Sequence, residues 1–97
     1  MSNQNPEFGN IKAYLDKGAI VLDVRTEVEY NQGHVKNAVH IVLDQLEYEI
    51  DQLKALQKPI ITCCRSGVRS EHAKDLLLNE DVDAINGGSW QNVEYYI

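Results

Sequence analysis

Residues 60 to 70 read Ile-Ile-Thr-Cys-Cys-Arg-Ser-Gly-Val-Arg-Ser: an apolar run, two cysteines, a short polar loop with one glycine, then a helix-like stretch. A cysteine attacks as its thiolate, and at an ordinary pKa of about 8.5 only a few per cent is ionised at neutral pH. This segment has the means to lower that value at Cys64. The five N–H groups that follow can curl around one point, and a helix starting near Val68 would aim its positive end there. Arg65 and Arg69 add positive charge, which also favours the anion over the thiol. Gly67 suits such a loop, because inward-facing amides need a residue that accepts positive φ.

Cys63 extends the apolar strand and reads as a small buried hydrophobe. The same fate is open to Cys64, but a Gly-containing loop with two arginines then needs another reason. Arg65 and Arg69 are either solvated charges at a helix start or an anion site, since a guanidinium fork matches sulfate, sulfonate or carboxylate oxygens. Ser66 and Ser70 could donate to the same anion, but capping the helix is the simpler role for both.

The elements that must hold this loop follow from hydrophobic spacing. A first helix is expected over 10–16, with Asn10 as N-cap, Ile11, Tyr14 and Leu15 facing inward and Gly18 as its stop. Residues 19–24 form a nearly unbroken run rich in β-branched side chains, the pattern of a central parallel strand, with Asp23 near its carboxyl end. One or two helical turns over 26–32 stop at Gly33, before a short strand at 38–41. Leu43, Leu46, Ile50, Leu53 and Leu56 predict one helix over 43–56, with Asp44 and Glu47 spaced like a capping box. After Pro59, residues 60–63 form a second buried strand. The next helix presents Val68, Ala73, Leu76 and Leu77 inward and ends near Asn79, a residue that tolerates the left-handed C-cap. Residues 82–85 make a last strand and Asn86-Gly87-Gly88 a turn. Strands alternating with helices predict an α/β fold, a small and mostly parallel β-sheet with helices on both faces. The ligand crevice of such a sheet lies beyond the carboxyl ends of its strands, where Asp23 and Cys64 both fall.

The rest of the chain narrows the partners. Ninety-seven residues suit one domain, residues 1–97, with a flexible terminus over 1–8. A net charge of −6 repels nucleic acid and anionic membranes, so neither is expected as a partner and any anion site must be local. The first ten residues lack a basic and apolar leader and no run approaches membrane-spanning length, which predicts a soluble, cytoplasmic protein. The two cysteines are neighbours, and a bridge between adjacent residues is a strained ring, so a reducing compartment fits. Cys63, Cys64, His34, His40 and His72 show no ligand spacing, and no metal or other cofactor is expected.

Two motifs resemble the single-domain rhodanese-like sulfurtransferases. Asp23-Val24-Arg25-Thr26-Glu27-Val28-Glu29-Tyr30-Asn31-Gln32-Gly33-His34-Val35 is similar to the family's D-V-R-x-x-x-E-Y-x-x-G-H-I block, and Cys64-Arg65-Ser66-Gly67-Val68-Arg69-Ser70 to its six-residue active loop. A weaker third match is Asn86-Gly87-Gly88-Ser89-Trp90. The resemblance implies ping-pong sulfur transfer. Cys64 would take the outer sulfur of a small anionic donor such as thiosulfate, hold it as a persulfide, and pass it to cyanide, a thiol or a protein cysteine. Arg65, Ser66, Gly67, Val68 and Arg69 would bind the substrate. Asp23, Arg25, Glu29, Gly33 and His34 would be structural, with Arg25 and Glu29 an ion pair, Gly33 a helix stop and His34 a turn-holding hydrogen bonder. Asn37 and Val42 stand where the family usually has glycine and proline, so that connection is expected to differ. Cys63 stands where an aromatic is common, which makes it a candidate trap for the persulfide.

Two other readings compete. Counted from Cys63, the spacing to Arg69 is that of a cysteine phosphatase or arsenate reductase, although Thr62 stands where the phosphatase signature has histidine. A non-catalytic rhodanese-like module would bind a partner, but it would not need the loop of Cys64, Gly67 and Arg69.

Overall fold

The two most apolar segments of the chain become the two central strands. In the computed structural model, which describes residues 10–97, β1 (Ile20–Asp23) and β3 (Ile60–Cys64) pair side by side in a four-stranded sheet. β2 (Val39–His40) flanks β1 and β4 (Ala84–Ser89) flanks β3, giving the order β2-β1-β3-β4 with every pair parallel. The remaining elements in chain order are α1 (Ile11–Asp16), α2 (Glu27–Asn31), a 3₁₀ helix (Leu43–Tyr48), α3 (Ile50–Ala55), α4 (Val68–Asn79) and α5 (Trp90–Tyr95). The expectation for residues 1–8 lies outside the described residues. Among the described residues, no helix is long and apolar enough to cross a membrane.

Period-two alternation along the strands builds two cores. Leu22, Val24, Ile60 and Cys64 enter one cluster with Leu46, Ile50, Leu53, Ala73 and Leu77 of the 3₁₀ helix, α3 and α4. Val21, Ile61 and Cys63 point the other way, into a cluster with Ile11, Val35 and Val93, against which Tyr14 and Trp90 pack. Helices therefore cover both faces, as the sequence pattern predicts. The register sets Asp23 opposite Cys63, so the carboxyl ends of β1 and β3 are level and their outgoing loops adjoin. The β3–β4 ladder shifts between Thr62 and Cys64 and brings Cys64 opposite Ser89.

Several local expectations give way. The single helix over 43–56 is broken at Glu49: the first part winds as 3₁₀ and α3 begins at Ile50. Leu43 and Leu46, like Ile50 and Leu53, are three apart, a spacing that a 3₁₀ turn satisfies as well as an α turn. Val42 occupies the N-cap position there, and no side chain caps it, so the Asp44 and Glu47 capping box does not form. Leu56 is half exposed. Asn10 holds the N-cap position of α1 in the left-handed region and makes no side-chain cap. Val68 is 76% exposed rather than inward, and the buried residues of α4 are Ser70, Ala73 and Leu77. The left-handed residue after α4 is Asp81, at φ 62°, not Asn79. Residues 86–88 are strand, not turn. A Cβ at Gly87 would lie 2.5 Å from Val93 Cγ2 and 2.7 Å from Ile61 Cγ2, so glycine there lets β4 lie close against its neighbours. Asn37, in the glycine position of the family motif, takes φ 67°, and Val42 takes the φ of −59° that proline would impose.

Candidate active site

Cys64 closes β3 with its side chain on the α4 side, 1% exposed. The chain then reverses through Arg65, Ser66 and Gly67, and Gly67 occupies the N-cap of α4 at φ 103°. A Cβ is disfavoured there, so the loop geometry depends on the glycine. This turn brings the Gly67 N–H to 3.0 Å from Cys64 Sγ. From the first turn of α4, Ser70 Oγ sits 3.3 Å from the same sulfur. Burial alone would push the thiol up, but the Ser70 hydroxyl and the amides of Ser70, Gly67 and Ser66 outweigh it and hold Cys64 below the ordinary cysteine value. The expected curl of amides is thus present, led by a hydroxyl that the sequence reading assigned to helix capping. Ser70 caps nothing; it is fully buried.

Behind Ser70 stands Asn86 of β4. Ser70 Oγ donates to Asn86 Oδ1 at 2.7 Å, and the Asn86 amide nitrogen donates to the Gly67 carbonyl at 2.9 Å and to Glu71 Oε1 at 3.0 Å. Asn86 is not among the site residues expected from the sequence, where residues 86–88 have the pattern of a turn. A polar side chain facing Thr62 across the ladder is the signal, visible once β4 is extended.

The first motif forms the wall beside the loop. Asp23 and Arg25 are buried as an ion pair, with Arg25 Nη2 2.7 Å from Asp23 Oδ2. Arg25 also donates to the carbonyls of Glu29 at 3.2 Å and Gly33 at 2.7 Å, which ties the end of α2 to β1. The expected Arg25–Glu29 ion pair is therefore replaced: Arg25 takes Asp23, which lies closer in the chain and deeper, and only the backbone of Glu29. The Glu29 carboxylate instead accepts from Arg69 at 2.7 and 3.0 Å, forty residues away, while closing a capping box with Thr26. Arg69 chiefly, with help from Thr26, holds the Glu29 carboxyl down to about 2, and the same pair holds Arg69 above its ordinary value. The Arg69 fork that was expected to bind a substrate anion is occupied by this carboxylate.

Arg65 is exposed and lines a polar cavity of about 390 Å³ with Arg25, Glu29, Gln32, Gly33 and Trp90. Ser66 is exposed on the loop beside it. A Cβ at Gly33 would meet the Trp90 ring at 3.1 Å, so Gly33 leaves room for that ring as well as following α2. His34 Nδ1 donates to the Tyr30 carbonyl at 2.8 Å and the rings stack, with His40 on the other side of Tyr30. Across the Glu29–Arg69 pair lies a more apolar groove of about 500 Å³, lined by Val24, Thr26, Val42, Leu43, His72 and Leu76 among others. Among the described residues, no group of three or more His, Cys, Asp or Glu side chains is placed to hold a metal ion.

Cys63, one residue earlier, is fully buried on the opposite face of the sheet. Desolvation and then the neighbouring Asp23 charge, partly offset by Arg25, push its thiol well above the ordinary range. It shares the sequence of the loop but not the site.

Residues 8–94 match the family model of the rhodanese-like domain. The chain belongs to the rhodanese-like domain family. Its rhodanese-like fold is also that of solved proteins, including a rhodanese-like domain protein from Staphylococcus aureus, which is 27% identical over 78% of this chain and 74% of that one with a TM-score of 0.66. A human single-domain sulfurtransferase shares the fold with a TM-score of 0.68, at 24% identity over 89% and 88% of the two chains. A tRNA uridine(34) hydroxylase from Cytophaga hutchinsonii is 36% identical over 92 residues, which is 84% of this rhodanese-like chain but 29% of the hydroxylase. The chain thus spans less than a third of the length of the curated relatives it matches.

Proposed function

We propose that this rhodanese-like protein is a sulfurtransferase that carries sulfur on Cys64. The observation that supports it most is the pair of contacts on one sulfur: the Gly67 N–H donates to Cys64 Sγ at 3.0 Å and Ser70 Oγ lies 3.3 Å from it. The Cys64 thiolate attacks the outer sulfur of a sulfane donor such as thiosulfate. The S–S bond of the donor breaks, its electron pair leaves with sulfite, and the outer sulfur stays on Cys64 as a persulfide. An acceptor nucleophile, cyanide, a thiol or a protein cysteine, then attacks that outer sulfur and the electron pair of the broken bond returns to Cys64 as thiolate. The loop amides stabilise the anion in both half-reactions without moving, as an oxyanion hole does. Because Arg69 is held by Glu29, Arg65 is the substrate-facing positive charge of the loop, with Ser66, Gly67 and Val68 completing its rim. A free thiolate carrier suits a reducing compartment such as the cytoplasm.

The phosphatase alternative needs Cys63 as nucleophile, and Cys63 faces away from Arg69 with its thiol disfavoured from ionising. The hydroxylase name of the longer relatives brings tRNA forward as a partner. On this chain the net charge of −6 argues that phosphate contacts, if present in a longer protein, come from outside the residues here.

Steady-state thiocyanate formation from thiosulfate and cyanide tests the proposal. Parallel double-reciprocal lines, lost in Cys64→Ser and kept in Cys63→Ser, are the expected result. Turnover that survives in Cys64→Ser contradicts it.

A further inference from the structure

The Asn86 side-chain amide has two donor hydrogens and two acceptor sites, and all four are used. Oδ1 accepts from Ser70 Oγ at 2.7 Å and from the Gly88 N–H at 2.9 Å, while the nitrogen donates to the Gly67 carbonyl at 2.9 Å and to Glu71 Oε1 at 3.0 Å. Turning the amide over would set its NH2 group against the Gly88 N–H, donor against donor, and its oxygen against the Gly67 carbonyl and Glu71 Oε1, acceptor against acceptors. Its orientation is therefore fixed, and it is 2% exposed. Two residues that touch the Cys64 sulfur are held by it: Ser70 through its hydroxyl, and Gly67 through its carbonyl, across the Gly67 Cα from the N–H that reaches the sulfur.

Ser70 has a single hydroxyl hydrogen, and in the structure it points to Asn86. The 3.3 Å contact with Cys64 Sγ is then one in which the thiol S–H donates and Ser70 Oγ accepts. Once the sulfur has lost its proton it can only accept, and the Ser70 hydrogen must turn from Asn86 to the sulfur. Asn86 Oδ1 is not stranded by that turn, because the Gly88 N–H still donates to it. A buried acceptor left without any partner would oppose ionisation, and the second donor removes that penalty.

We propose that Asn86 is a positioning residue for Cys64, holding the Ser70 hydroxyl beside the sulfur, fixing the Gly67 carbonyl and with it the turn that aims the Gly67 N–H, and releasing the Ser70 hydrogen to the sulfur whenever it is an anion. The inference rests on Cys64 as the sulfur carrier, and it deepens that reading. The charged groups around the relay are Glu71, bonded to Asn86, the Glu29–Arg69 pair at the loop end, Arg65 on the loop and the Asp23–Arg25 pair on β1. None of them bonds the sulfur directly: Arg69 feels its charge through space, and the hydroxyl and the amides are the groups in hydrogen-bonding reach of it.

The test is the ionisation of Cys64, followed as ultraviolet thiolate absorbance against pH with Cys64→Ser as the blank. It needs no turnover, so its failure is separate from a failure of sulfur transfer. Ser70→Ala raises the midpoint by about one pH unit, the size expected for loss of one hydrogen bond to a charged group. Asn86→Ala also raises it, by about one unit, and the step shrinks by at least half when made in the Ser70→Ala background, because one hydrogen bond cannot be lost twice. Asn86→Asp keeps the shape and both acceptor bonds but turns a carboxylate oxygen toward the Gly67 carbonyl and Glu71, and raises the midpoint most, by about two units. This variant carries the test if Asn86→Ala fails to fold. A wild-type midpoint in folded Asn86→Ala or Asn86→Asp overturns the proposal, as does an equal Asn86→Ala step in the two backgrounds.

Discussion

Cys63 and Cys64 share a strand, a peptide bond and a chemistry, and the fold treats them oppositely. Cys63 points into the apolar layer under α1 and α5, where none of the described residues donates to its sulfur and burial pushes the thiol up. Cys64 points toward α4, is also buried, though less deeply, and yet is held below its ordinary value because the loop amides and the Ser70 hydroxyl beside it can meet the hydrogen-bonding needs of an anion. Burial is common to both, so it does not decide reactivity. What decides it is whether the low-dielectric surroundings contain fixed donors, and here that follows from the alternation of a strand and from the turn that Gly67 permits.

The largest way to break this comparison is to exchange the two sulfurs for oxygen in turn. Cys64→Ser is expected to lower thiocyanate formation by at least about a thousandfold, as loss of a covalent nucleophile does. Cys63→Ser keeps activity within a few-fold and instead costs about 1–3 kcal/mol of stability in chemical denaturation, because a buried hydroxyl replaces a small apolar thiol. Comparable losses of activity in the two variants would erase the distinction.

Gly67→Ala attacks the turn rather than the sulfur. A non-glycine residue at φ 103° is strained, so about 1–3 kcal/mol of stability is lost or the loop relaxes and withdraws its amide. The expected readout is a ten- to hundredfold fall in kcat/KM for thiosulfate with Cys63 unaffected. Wild-type kinetics would show that the amide of Gly67 does nothing for Cys64.

Proton linkage separates the cysteines by sign. Cys64 has a lowered value in the fold, so its contribution to stability is present above the unfolded cysteine value of about 8.5 and fades as pH falls through the folded value. Cys63 is raised, so its contribution is present below about 8.5 and is lost as pH rises beyond it. Between neutral and moderately alkaline pH, unfolding free energies of Cys64→Ser should therefore fall more steeply with pH than those of the wild type, and those of Cys63→Ser less steeply. Equal slopes in the three proteins would remove the electrostatic basis of the comparison.

The smallest effect concerns substrate. Glu29→Gln keeps the capping geometry with Thr26 but frees the Arg69 guanidinium, and KM for thiosulfate is expected to fall a few-fold with kcat nearly unchanged. The ion pair is partly exposed, so the stability change should stay within about 1 kcal/mol. With the Glu29 carboxyl held down to about 2, the pair is fully formed at any pH where the protein is assayed. An unchanged KM would mean that Arg69 lies off the path of the anion.

Much of this was legible in the chain. The β-branched runs gave the two central strands, their carboxyl ends located the loop, and the continuation of the apolar run through Cys63 already set it apart from Cys64. The parts that were not legible depend on distant partners. Glu29 and Arg69 are forty residues apart, and nearer partners made Arg25–Glu29 look natural until Asp23 proved to be the deeper carboxylate. Ser70 reads as a cap by local rules, and only the packing of β4 against α4 turns it toward sulfur and Asn86. The break at Glu49 is invisible because leucines three apart serve 3₁₀ and α turns equally. For Glu29–Arg69 and for Ser70 the missing information was tertiary, and for the Glu49 break it was a local ambiguity of spacing.

The central claim is that sulfur is carried on Cys64 and not on its neighbour. Intact mass spectrometry of the wild type, Cys63→Ser and Cys64→Ser after exposure to thiosulfate tests it most directly. The account predicts a gain of one sulfur atom in the first two and none in the third. Sulfur uptake by Cys64→Ser, or its loss in a folded Cys63→Ser, would contradict it.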